Sequence, residues 1–198
     1  TAVNVLDLDP PVATCPNPVT VSTDPGLCTA VVNGLGLQYQ FDNCPATVTY
    51  TVTGATATSG TGNASGKVFN KGVSVVTYTI TDQSGNSSLC FFDVTVKDKE
   101  APTLNCTTLG TKTRFTDAGV CTYTATGTEF NPSAFNDNCP GSTLSNNYNN
   151  SSSLAGAVFP KGTTTVIWTV TDASGNTATC ALVVIVNDVQ LPAIACPA

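Results

Sequence analysis

Nine cysteines and thirteen acidic side chains carry most of the chemistry open to this 198-residue chain. Histidine is absent. That removes the general base of a Ser-His-Asp or Cys-His arrangement and the nitrogen ligand of a mixed zinc site. No Cys-x-x-Cys pair occurs either, so zinc fails on spacing as well. Disulfides are the remaining use for the cysteines, and they imply an oxidising, extracellular or cell-surface setting. The acids offer two chemistries. A pair of them can cleave glycosides, although turn formation explains the same positions. Several together can hold calcium, which takes about six to eight oxygens.

The bulk properties exclude other classes. Net charge is −6 with a pI near 4.2, and no Lys/Arg cluster occurs, so a nucleic acid would be repelled. No apolar run approaches the roughly 20 residues of a membrane helix. No signal peptide and no Met are present, which fits a mature chain or an internal slice.

The cysteine spacing defines the elements that must position this chemistry. Cys15, Cys28, Cys44 and Cys90 recur as Cys106, Cys121, Cys139 and Cys180, at offsets of 91, 93, 95 and 90 residues. Cys196 then opens a third unit. Phe69 and Phe159, Lys71-Gly72 and Lys161-Gly162, Asp82 and Asp172, and Pro102 and Pro192 keep the same period. One period before "FDVTVKDKEAP" lies "TAVNVLDLDPP". The expected organisation is therefore a last strand and linker at 1–9, repeats at 10–98 and 99–188, and a linker with the start of another repeat at 189–198. On this reading the partner of Cys196 lies outside the chain.

Within each repeat the pattern is that of strands. "VVTYTIT" at 75–81 places Val76, Tyr78 and Ile80 on one face and threonines on the other; "TVIWTVT" at 165–171 repeats this. Cys90, Phe92, Val94 and Val96 share a face, as do Cys180, Leu182, Val184 and Val186. Period two with one apolar face predicts half-buried strands. The intervening Asp-x-Ser-Gly-Asn is a hairpin connection. Further strands are expected near 18–22, 28–33, 46–53 and 66–70, with counterparts near 112–116, 121–126, 143–149 and 154–159. The fold class is all-β: tandem immunoglobulin-like β-sandwiches, stapled by disulfides.

The motifs run Cys-Pro, Gly-x-Cys-Thr-Ala, Asp-Asn-Cys-Pro, Phe-x-Lys-Gly, Thr-Asp-x-Ser-Gly-Asn-x-x-x-Cys and Asp-x-x-x-Pro. Nearly the whole chain thereby resembles tandem hyalin repeat (HYR) domains, in the four-cysteine form of long secreted surface or adhesin proteins of Bacteroidota-type bacteria. Two departures occur in the second unit: Asn105-Cys106-Thr107 in place of Cys-Pro, and "STLSNNYNNSSS" at 142–153 in place of a Thr/Val strand. The resemblance implies an immunoglobulin-like, non-enzymatic extracellular module associated with adhesion.

In such a sandwich the first strand runs parallel to the last. That pairs Cys15 with Cys90 and Cys106 with Cys180, and elimination then pairs Cys28 with Cys44 and Cys121 with Cys139. The same topology brings two loops to the end facing the incoming linker. Asp7, Asp9, Asp42 and Asp82 can converge there, as can Asp98, Glu100, Asp137 and Asp172. Calcium at inter-repeat joints is one reading. The other is that Asp82 and Asp172 form turns while the linker acids solvate a joint; Gln190 in the third linker, beside Asp188, counts against a uniform metal site. Trp168 reads as core. The sequons at 63–65 and 86–88 matter only in a eukaryotic host. Short Asp-x-x-x-Pro linkers predict a stiff series of modules. The expected role is a structural segment of an extracellular stalk, filament or adhesin shaft, whose partners are neighbouring repeats, bundled copies or a cell-surface ligand. The alternatives are a ligand- or glycan-binding adhesion module, or accessory domains of a secreted hydrolase.

Overall fold

Strands supply all of the regular secondary structure among the described residues. A computed structural model of the chain describes residues 6–192, among which no helix occurs. The chain falls into two units, Thr1–Lys99 and Glu100–Ala198.

The first unit contains β1 (Val12–Thr14), β2 (Val19–Ser22), β3 (Thr29–Val32), β4 (Tyr39–Phe41), β5 (Ala46–Gly54), β6 (Thr58–Thr61), β7 (Lys67–Asn70), β8 (Gly72–Asp82) and β9 (Ser87–Lys97). Its main sheet has the order β2-β9-β8-β5-β6. β2 lies parallel to β9, with Val19 opposite Val94, and the remaining ladders are antiparallel. The pairs β3-β7 and β1-β4 form smaller sheets. Alternation along β8 turns Val76, Tyr78 and Ile80 inward, all with no exposed surface. They pack with Val32, Leu35, Val52, Phe69 and Val94. The outer face carries threonine pairs, Thr49 opposite Thr79 and Thr51 opposite Thr77. Their β-branched side chains suit a pleated surface and keep it polar without charge.

The second unit repeats the plan in β10 (Thr103–Asn105), β11 (Gly110–Phe115), β12 (Thr122–Thr124), β13 (Ala134–Asn136), β14 (Thr143–Asn146), β15 (Val158–Pro160), β16 (Gly162–Thr171) and β17 (Thr177–Asn187). The main sheet is β11-β17-β16-β14, again with its first strand parallel to its last. Trp168 is fully buried at the centre of a core that includes Phe130, Leu154, Phe159 and Leu182. Its indole N–H donates to Phe130 O at 3.1 Å. In the first unit the Tyr78 hydroxyl donates to Leu35 O at 2.5 Å. A large aromatic with a polar tip thus occupies the same place twice, and each tip satisfies a buried carbonyl.

The Asn/Ser-rich segment departs from expectation. The strand predicted over 143–149 stops at Asn146, and the one predicted over 154–159 is reduced to Val158–Pro160. Among the described residues of the second unit, no strand corresponds to β6. Asn146 is buried and its side chain organises a turn instead. Its amide donates to Asn149 Oδ1 and Ser151 O, both at 2.8 Å. Its Oδ1 accepts from Tyr148 N and Asn149 N at 2.8 and 3.0 Å. Side-chain amides that satisfy nearby backbone groups compete with the ladder, and here they win.

Candidate functional site: the two ends of each repeat

Asp82 and Asp172 show how the Asp-x-Ser-Gly-Asn phrase builds one end of a sandwich. Asp82 Oδ1 accepts from Ser84 N and Asn86 N, both at 2.8 Å, and Oδ2 accepts from the Asn86 amide at 2.7 Å. Gly85 takes φ +93°, which a side chain would resist. Asn86 then donates to the backbone oxygen of Asp7 at 3.1 Å. Asp172, Ser174 and Asn176 reproduce these bonds, and Asn176 donates to the backbone oxygen of Glu100 at 3.0 Å. The phrase is therefore a turn closed by its own acid and a clamp on the incoming linker. Burial raises the Asp172 carboxyl pKa. The bonds from the Asn176 side chain and from the Asn176, Ser174 and Gly175 N–H groups outweigh this and hold it below the usual carboxylate value.

Asp42 and Asp137 cap the loops beside these turns, accepting from Cys44 N at 3.2 Å and Cys139 N at 3.1 Å. The carboxylates of Asp7, Asp42 and Asp82 gather so closely that one oxygen from each lies within 4.8 Å of the others. Those of Asp137 and Asp172 approach each other equally closely. Asp7 Oδ1 accepts from Asp9 N at 3.1 Å and from the Asn43 amide at 3.2 Å. Its Oδ2 is buried with no hydrogen-bond donor in good geometry. The Cys44 thiol beside it, then Asp9 N and Asn43, hold the Asp7 carboxyl low, and the Cys44 thiol is pushed up in turn. Asp9 joins through its backbone N–H and Glu100 through its backbone oxygen.

As a calcium site the group is half-committed already. Both Asp82 oxygens, one of Asp42 and one of Asp7 hold protein donors, so turn formation accounts for most of the geometry. The Asp7 oxygen and the crowding of three carboxylates are what it leaves over.

The opposite end of each repeat is built by Phe-x-Lys-Gly. Phe69 and Phe159 anchor it with no exposed surface. Lys71 reaches Asp98 at 3.8 Å, and Lys161 reaches Asp188 at 3.4 Å. Gly72 and Gly162 take φ values of +124° and +112° as β8 and β16 begin. The linker aspartates thus pair with a lysine of the repeat they leave. Gln190 also turns back, donating to Asp117 O at 2.8 Å and accepting from Gly119 N at 3.0 Å.

The disulfides require a correction. Cys15 is bonded to Cys90, and Cys106 to Cys180, with Cα atoms 5.7 and 6.5 Å apart. The expected Cys28–Cys44 and Cys121–Cys139 links do not exist. Cys44 and Cys121 are free thiols, whereas Cys28 and Cys139 are each disulfide-bonded. Position explains this. The carbonyl of Cys28 accepts from Lys71 N at 3.1 Å, at the exit end. Cys44 lies beside Asp7, and Ala46, two residues on, pairs with Asp82 at the entry end. The 11 residues of β8 run between those ends, a span of about 35 Å. A disulfide needs its Cα atoms within about 7 Å. In the second repeat the Cys121 carbonyl accepts from Lys161 N at 3.0 Å, and β16 separates it in the same way from the Asp172 end. Cys196 lies outside the described residues.

One cluster has no sequence signature. Arg114 Nε and Nη2 donate to Glu129 Oε2 at 3.0 and 2.6 Å. Tyr123 and Thr126 N donate to Glu129 Oε1 at 2.6 and 2.8 Å. Burial raises the Glu129 carboxyl, but the bonds from Tyr123, Thr126 and Arg114 bring it below its usual value. Glu129 and Lys112 also line a cleft of about 650 Å³, together with Asn131 and Phe135.

The sequence and the fold were compared with those of known proteins. Hyalin of Strongylocentrotus purpuratus is 31% identical over 197 residues, which cover 96% of this chain and 15% of that protein. The chain therefore spans about a seventh of that relative's length, and the matches give no support to a bacterial source. Among solved structures, Drosophila N-cadherin EC1-4 aligns over 90% of this chain and 50% of its own, at 12% identity and a TM-score of 0.42. Human mucin-like protocadherin EC1-2 aligns over 89% and 98%, at 15% identity and a TM-score of 0.34. The HYR domain model matches residues 6–96 and again 97–186, and since these segments take in nearly all of the sequence, the chain belongs to the HYR domain family as two consecutive members.

Proposed function

We propose that this chain is a non-enzymatic, tension-bearing segment of an extracellular shaft, stalk or filament. One observation carries the reading: a disulfide joins the start of each repeat to its last strand. Cys15 bonds Cys90, and β9 continues from there to the exit linker at Asp98. A pull applied at the two linkers passes through Cys15, the sulfur bridge and β9. The 75-residue separation it bridges lies off that path. Cys106–Cys180 does the same for the second repeat, across 74 residues. The entry clamp at Asn86 and the exit pair Lys71–Asp98 stand at opposite ends of a repeat, which suits modules strung in series. Negative-stain imaging of the native protein tests this. A beaded thread many repeats long is expected, and a compact particle contradicts it.

Calcium at the entry end is a second reading, favoured by the uncapped Asp7 oxygen among three carboxylates. Asp7, Asp42 and Asp82 would hold the ion, which would stiffen the linker against the sandwich. A midpoint of thermal unfolding that rises by several degrees with calcium, and falls back with chelator, is expected. Identical midpoints end the idea. The cleft beside Glu129 favours a glycan or other cell-surface ligand as a third reading, tested by binding to immobilised oligosaccharides.

A further inference from the structure

Each repeat carries one cysteine at its entry end and one at its exit end, beyond the pair that staples its strands. The four are not equivalent in state. At the entry ends, Cys44 is a free thiol while its counterpart Cys139 is disulfide-bonded. At the exit ends, Cys121 is a free thiol while its counterpart Cys28 is disulfide-bonded. The local frame is the same in both members of each set. Asp42 caps Cys44 N as Asp137 caps Cys139 N. Lys71 N binds the Cys28 carbonyl as Lys161 N binds that of Cys121. No partner for the free thiols is available inside their own repeats, because a strand of about 35 Å stands between the two ends.

From this we infer that Cys44 and Cys121 are docking cysteines for further HYR repeats: Cys44 takes a disulfide from the exit-end cysteine of one repeat, and Cys121 from the entry-end cysteine of another. The bond has polarity, exit to entry, so it orders repeats head to tail and cross-links them beyond the peptide linker. The chemistry is thiol–disulfide exchange with a small disulfide such as oxidised glutathione. One protein thiolate displaces a glutathione thiolate to form a mixed disulfide. The second protein thiolate then displaces the other glutathione. Two thiol protons are released, and two glutathione thiolates carry away the electron pair. Cys121 is exposed and Cys44 half-buried, so both ends can be reached in a folded protein.

The inference rests on repeats standing in series, as the shaft reading has it, yet the two fail separately. A beaded thread whose end cysteines remain thiols would overturn this linkage and leave the shaft. The test uses the full 198-residue chain carrying C196S, in a glutathione redox buffer, with products separated without reductant and mapped by peptide mass. The chain should form a ladder of multimers joined by Cys44–Cys121 peptides. C44S alone and C121S alone should stay monomeric, with unchanged melting. Mixed in equal amounts, they should give heterodimers and nothing larger. A monomeric parent chain, homodimers through Cys44–Cys44 or Cys121–Cys121, or an intrachain Cys28–Cys44 or Cys121–Cys139 bond would overturn the proposal.

Discussion

At the residue scale, the acids of this chain divide by what their oxygens already hold. Asp82 and Asp172 close turns, Asp98 and Asp188 pair with lysines, and Glu129 gathers Arg114, Tyr123 and Thr126 N. Glu129 yields a prediction with a definite sign. Its folded-state pKa lies below the unfolded value of about 4.3. The stability it contributes is therefore fully present above that value and is lost as pH falls through the lower, folded one. Acid titration of unfolding should show the second repeat weakening below about pH 4. Glu129→Gln should lower stability at pH 7 by about 1–2 kcal/mol and flatten that acid limb. An unchanged acid limb in the variant would refute the role given to Glu129. Nothing in the sequence flags this cluster, because Arg114 and Glu129 are 15 residues apart in no recurring pattern and have no charged equivalents in the first repeat. The Asp-x-Ser-Gly-Asn turns were legible, because Asp, Gly and Asn each have a local reason to be there. Their second use, the asparagine clamp on the linker, was not, since it depends on where the linker passes.

At the element scale, β8, β9, β16 and β17 could be read from period two alone, because each turns an unbroken apolar face to a core. The strands β1, β4, β10 and β13 escaped notice. They have three residues each, and β4 and β13 are exposed throughout, so burial imposes no alternation on them. The Asn/Ser segment after β14 is not the strand expected over 143–149, since propensity does not reveal that one buried asparagine makes four local hydrogen bonds to three residues. Asn146→Ala should therefore destabilise the second repeat by about 2–3 kcal/mol, through the backbone donors and acceptors it leaves buried. Urea denaturation measures this, and a midpoint equal to that of the parent chain would show the turn to be passive. The disulfide pattern was half legible for a related reason. Parallel first and last strands predict Cys15–Cys90, whereas pairing by elimination assumes that every partner lies within one repeat, and the length of β8 defeats that assumption.

At the scale of the whole molecule, the sulfur bridges decide which covalent path a pull on the two linkers would follow. In each repeat the sulfur bridge would place such a force on the last strand and keep the rest of the sandwich out of its path. About 250 Å of contour is locked behind each bridge, given 75 and 74 residues at roughly 3.4 Å per residue. Single-molecule stretching of the chain from its two termini, before and after reduction, measures this directly. No extension step of that size is expected while the bridges are intact, and one such gain per repeat is expected once they are reduced. Steps of about 250 Å in the oxidised chain would contradict that load path.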